Sequence, residues 1–207
     1  MTTRFARRSM IKGALAGAAA LVLPARVFAQ PFTVPEQHRR ILGVAKEQLE
    51  RVRGQLWRTD IVGVADFALP SSLPRFHFAD LEKGEVRSFL VAHGKGSDPE
   101  HDGFLKSFSN EPGSLATSRG AFITYEWYKG KYGTSIRLGG VDADNNHALD
   151  RAIVLHPAWY SNPAMLEKWG KLGRSDGCFA MGEEDFNEAL WHLSGGRLLY
   201  ADRLGIY

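Results

Sequence analysis

The chain has 207 residues, 44% hydrophobic and 24% charged, a balance that excludes collagen-like, coiled-coil and disordered classes and leaves enough apolar side chains for a core without staples. Its formal charge of +3 is local: residues 1–29 hold five basic residues (Arg4, Arg7, Arg8, Lys12, Arg26) and no acidic one, leaving 21 basic against 23 acidic residues in the rest. Beyond that segment lies roughly one domain's worth of chain, slightly acidic, with no basic footprint for a nucleic-acid partner.

Arg7 and Arg8 stand ahead of Ser9-Met10-Ile11-Lys12, an apolar run from Gly13 to Leu23, and Val27-Phe28-Ala29. The pattern predicts a signal peptide cleaved after Ala29, and paired arginines before a mildly hydrophobic stretch suit twin-arginine export. The apolar run of 11 residues is too short to cross about 30 Å of hydrocarbon. The expectation is an exported bacterial protein, periplasmic or associated with the cell wall, with no membrane span after cleavage. Its single cysteine, Cys178, has no internal disulfide partner, so in an oxidising compartment it is either buried and inert or employed in chemistry.

Thr33, Pro35 and Glu36 read as a capping-box start, and Ile41, Ala45, Leu49, Val52 and Leu56 recur at helical spacing, so one amphipathic helix is expected over 35–57, within an N-terminal segment 30–58. From Ile61 the texture changes to short β-rich runs: Ile61–Leu69, Arg75–Asp80, Val86–Ala92, Ala121–Trp127, Thr134–Leu138 and Arg151–Leu155. Glu82 to Glu85 and Lys129 to Gly133 read as hairpin connections. Asn162-Pro163 and Gly170 bracket a short helix, and Phe186, Ala189, Leu190 and Leu193 give another. Between Gly94 and Gly120 runs an aperiodic stretch rich in Gly, Ser, Asp and Asn, a length of loop that usually serves function or is disordered. The fold class expected for 59–207 is α+β, mainly β.

The segment LGRSDGCFAM, residues 172–181, puts Cys178 behind a glycine. Gly177 lets the backbone approach a ligand, and the amides at Gly177 and Cys178 suit an oxyanion hole. Arg174 supplies a cation to favour a thiolate or to hold a substrate carboxylate. The base candidate is His156, closing the strand-like run AIVLH; a Cys and a His within reach form a thiolate–imidazolium pair. His93, also at a strand end, competes, as do His101, His147 and His192. Trp159 and Tyr160, beside His156, are candidate substrate contacts among aromatics that otherwise read as packing. Asp142-Ala143-Asp144-Asn145-Asn146 opens like a calcium loop, but His147 stands at its glycine position and Ile153 at its closing glutamate, so no metal and no cofactor is expected.

His156 followed by Ser175-x-Gly177-Cys178 is similar to the signature of the L,D-transpeptidases with a YkuD-type domain. VADFALPSSLPRFHFADLEKGEVRSFLVAHGKGSD, SFSNEPGSLATSRGAF, KYGTSIRLGG, RAIVLH and LGRSDGC together resemble the divergent murein L,D-transpeptidase catalytic-domain subgroup over about residues 61–181. The resemblance implies a β-rich sandwich or barrel in which Cys178 attacks the amide before the terminal D-alanine of a peptidoglycan tetrapeptide stem. The acyl group then passes to an amine, commonly that of a neighbouring diaminopimelate, or to water. It implies Cys178 as nucleophile, His156 as base, Ser175 as a hydroxyl lining the site and Gly177 as an oxyanion donor. Asp176 stands where the commoner box has His, Pro157 where Gly is usual and Phe179 where a polar residue is frequent; a carboxylate beside the nucleophile disfavours the thiolate unless Arg174 offsets it. Two other readings are a catalytically silent wall-binding module of the same fold and a sortase-like thiol transpeptidase, in which Arg197 would follow the cysteine.

Overall fold

A computed structural model describes residues 35–206; the expected signal peptide with its paired arginines, and Thr33 of the expected capping box, lie outside the described residues. Helix α1 (Glu36–Val52) runs into a short 3₁₀ turn at Arg53–Gln55. Its buried residues, Ile41, Leu42, Ala45, Leu49 and Val52, form one stripe at the helical period, as the spacing requires. Among the described residues no helix is long and apolar enough to cross a membrane.

The strands are β1 (Ile61–Asp66), β2 (Phe76–Asp80), β3 (Glu85–Phe89), β4 (Gly120–Gly130), β5 (Gly133–Gly140), β6 (Val154–Pro157), β7 (Phe179–Met181) and β8 (Leu198–Asp202). They form one eight-stranded sheet in the order β3-β2-β1-β8-β4-β5-β6-β7. The chain leaving β3 curls round to bridge β7 at Ala92↔Ala180, so the two ends of the sheet meet, and the architecture is the α+β, mainly β fold expected. α1 covers one side of the central strands through Val62, Val64, Ala79 and Leu198. On the other side Phe67, Phe76, Phe122, Leu155 and Phe179 pack with Phe186, Ala189 and Leu193 of α3 (Glu183–Leu193). Buried on both faces, β1 reads as a continuous apolar run rather than an alternating one. A Cβ on Gly63 in its middle would stand 3.1 Å from the Leu193 side chain.

Three expected strands shift, the run Ile61–Leu69 ending as a strand at Asp66. The run Arg151–Leu155 is a turn through Arg151 and Ala152, the latter at φ +52°, and the strand starts only at Val154. Backbone bonds from Arg151 N–H to His147 O and from Ile153 N–H to Ala148 O, both 2.8 Å, hold the turn, and the Arg151 guanidinium reaches back to Ser109 O at 2.7 Å and Ser118 Oγ at 2.6 Å. The run Val86–Ala92 pairs with β2 only to Phe89 before leaving for β7. The stretch 94–120 contains a 3₁₀ turn, Lys95–Ser97, and joins β4 at Gly120. It is tied to itself by Gly96 N–H to Leu115 O at 3.0 Å and Thr117 N–H to Ser97 Oγ at 2.9 Å. α2 (Ala164–Trp169) ends on Gly170 at φ +67°, the left-handed cap its glycine announces.

Candidate active site

β6 and β7 run parallel with His156 opposite Ala180. Cys178, directly before β7, is two residues from Ala180. Sheet pairing therefore sets the cysteine turn beside the strand that carries the imidazole. Cys178 and His156 both line a cleft of about 110 Å³ with Lys95, Tyr132, Tyr160, Arg174, Ser175 and Asp176.

His156 is buried, and its Nδ1 lies 2.9 Å from the carbonyl oxygen of Pro157. A carbonyl only accepts, so Nδ1 carries the proton and Nε2 is left as the lone-pair acceptor. The Tyr132 ring, carried by the β4–β5 hairpin, stacks on the imidazole at 4.6 Å and 24°. Burial holds the imidazole below its ordinary value, the Pro157 carbonyl opposing. Cys178 is 6% exposed. Burial is also the largest influence on it and pushes the thiol up; Asp176 adds to this, while the Val154 amide and the Arg151 charge pull the other way. The resting state these influences favour is a neutral thiol, its sulfur 3.7 Å from Ala152 O, and a neutral imidazole.

Ser175 is buried, its hydroxyl donating to Cys178 O at 2.6 Å and accepting from Gly177 N–H at 3.2 Å. It braces the turn that presents the cysteine. Gly177 sits at φ +112°, where a Cβ would stand 2.9 Å from Ala116 O, so only glycine fits without strain. Its amide is engaged with the Ser175 hydroxyl. Arg174 lines the cleft, but its Nη1 donates to the carbonyls of Asp98 and Pro99. The charge facing Asp176 is instead Lys95 Nζ at 3.0 Å.

His93 is not a cleft residue. It is 1% exposed, with Nδ1 accepting from Arg75 at 2.7 Å and Nε2 facing Asp98 at 3.3 Å, so it touches no substrate. Its carbonyl receives Ser175 N–H at 2.9 Å, and its part is to support the cysteine turn from behind. Tyr160 lines the cleft, whereas Trp159 lies at its edge, 61% exposed and packed edge-on against Tyr160 and Trp169. His192 is bound up with Glu188 on α3. Arg197 forms a two-point pair with Asp60 at 2.8 and 2.7 Å, which removes the arginine a sortase-like site requires. Asp142 takes Arg51 and the Ala121 amide, and among the described residues no cluster of His, Cys, Asp and Glu is placed to hold a metal. Lys95 and Tyr132 are not announced by the sequence, because both are far from Cys178 and His156 along the chain; closure of the sheet brings them into the cleft.

Residues 35–201 match the family model for the L,D-transpeptidase catalytic domain. The chain belongs to that family. No curated protein matches it. Among solved structures, the chain is similar to an L,D-transpeptidase from Mycobacterium smegmatis, at 16% identity and TM-score 0.43 over 69% of this chain and 58% of that one. It is similar also to an L,D-transpeptidase from Mycobacterium tuberculosis H37Rv, at 15% identity and TM-score 0.43 over 69% and 57%. A third likeness is to a variant of the helical cell shape determining protein of Campylobacter jejuni, at 12% identity and TM-score 0.44 over 82% and 57%. The chain thus spans less than two thirds of these neighbours' length, and its place in the family rests on the match over 35–201.

Proposed function

We propose that this L,D-transpeptidase family member acts on peptidoglycan as a cysteine-dependent transpeptidase or carboxypeptidase, with Cys178 as nucleophile and His156 as base. The observation that carries this reading is the one cleft lined both by Cys178, directly before β7, and by His156 of β6, with the imidazole proton fixed on Nδ1 by Pro157 O. As the thiol sulfur attacks the carbonyl carbon before the terminal D-alanine of a tetrapeptide stem, its proton passes to His156 Nε2. The Cys178 amide faces the developing oxyanion. The carbon–nitrogen bond then breaks, and the proton on His156 goes to the departing D-alanine amine, leaving a thioester. An incoming amine or water gives its proton to His156, attacks the thioester carbon and releases the thiol. No step calls for a cofactor. Ser175 acts here as a positioning residue, and Tyr160 and Arg174 as walls of the substrate cleft.

Incubation of the mature protein with tetrapeptide muropeptides, read by mass, tests the proposal. Cross-linked dimers or tripeptides with free D-alanine are expected, and neither from Cys178→Ser. An intact substrate with wild-type protein overturns the reading in favour of a silent wall-binding module. Export is part of the same proposal: with both arginines replaced, Arg7→Lys and Arg8→Lys, uncleaved precursor should accumulate inside the cell, and normal processing would refute the twin-arginine route.

A further inference from the structure

The Lys95–Asp176 ion pair is the part of the cleft that acylation leaves unused. Its charged atoms are 3.0 Å apart and its side chains 52% and 48% exposed. Both residues line the cleft that holds Cys178. Their backbones are fixed: Lys95 N–H donates to Ser175 O at 2.8 Å, Gly94 bridges Ser175, and a Cβ on Gly94 would stand 2.7 Å from Gly177 Cα. Rigid backbones thus carry a pair of charges whose side chains remain free to part. Water screens so exposed a pair, and its contribution to stability is small, so little opposes its opening when a ligand supplies replacement charges. The other cation of the cleft, Arg174, is already tied to the carbonyls of Asp98 and Pro99.

Two opposite charges at that spacing complement a ligand that bears both signs on one carbon. An α-amino acid centre with free ammonium and free carboxylate is such a ligand. We propose that Lys95 and Asp176 open to receive it, carboxylate on Lys95 and ammonium on Asp176, and so select the amine-bearing partner, whose ammonium gives one proton to solvent before its nitrogen meets the thioester. The identity of that thioester rests on the function proposed above; the recognition of the zwitterion does not. Asp176 then has a role at a position where the commoner box carries histidine.

The test uses the Cys178→Ser protein, which turns nothing over, with backbone amide shifts at 94–96 and 174–178 as the readout. D-Alanine should bind, and D-alaninamide and N-acetyl-D-alanine, each lacking one charge, should bind about tenfold more weakly, the loss of one charge-assisted contact. Lys95→Gln should erase the preference over the amide, and Asp176→Asn the preference over the N-acetyl form. A stem tetrapeptide with a free diaminopimelate centre, compared with free D-alanine, tells whether a stem or a free amino acid is the better source. Equal binding of the three small ligands, binding by none, or a preference that survives both substitutions overturns the proposal. Failure of wild-type protein to form a thioester with tetrapeptide, with the preference intact, would instead sink the proposed reaction.

Discussion

For Cys178 and His156 burial outranks every neighbouring charge, raising the thiol and lowering the imidazole. A base must be unprotonated to act, so a lowered imidazole keeps His156 competent into mildly acidic solution. The acid limb of Cys178 alkylation by iodoacetamide should therefore lie below the ordinary histidine value of about 6.5. His156→Ala should slow alkylation at pH 7 by roughly a hundredfold, the scale of a lost general base, and leave only the alkaline rise of thiol ionisation. An unchanged acid limb in that variant would show that His156 is not the base. His93 gives no rival explanation, being enclosed by Arg75 and Asp98.

At the scale of elements, the hairpin β4–β5 reaches His156. Tyr132 at its tip stacks on the imidazole, and desolvation is the first cause of the lowered value. Tyr132→Ala should let water in and move the acid limb of Cys178 alkylation upward toward the ordinary histidine value, whereas Tyr132→Phe, which keeps the ring, should leave it in place. If both variants match wild type, the hairpin is not the cover. This hairpin was legible in the sequence as a connection over Lys129 to Gly133, which the structure narrows to Lys131-Tyr132 between the paired Gly130 and Gly133; α1 and the cores of β1, β2 and β4 were legible too. What Tyr132 meets was not legible, because stacking on β6 follows from strand order. β7 escaped notice because three residues carry no readable period. β8 did so because Leu198-Leu199 lies in a run buried on both faces, where alternation vanishes. The cysteine and histidine were found from their residue types and the family-like box, but the bond that fixes the imidazole belongs to Pro157 O, a backbone atom that no side-chain pattern announces.

The whole molecule buries two neutral histidines away from the cleft, and that couples its stability to pH. His77, inside β2 with Nδ1 2.8 Å from Ser88 Oγ, is lowered from 6.5 to about 4, chiefly by burial. His93 is lowered by burial and by the Arg75 charge. In an unfolded chain both bind protons near pH 6.5, so between about 6.5 and 4 the unfolded state of His77 holds a proton that the folded state lacks. Stability then rises with pH across this window and is lost as the pH falls through it, by up to about 1.4 kcal/mol per pH unit for each such site. Urea unfolding measured from pH 8 to pH 4 should show constant stability above about pH 7 and a decline below it, since each histidine is neutral in both states on the alkaline side. His77→Gln keeps a polar partner for Ser88 but takes up no proton, so its decline between pH 6.5 and pH 4 should be shallower by about one proton's worth. A variant curve parallel to wild type would mean that His77 is not among the groups that take up protons on unfolding.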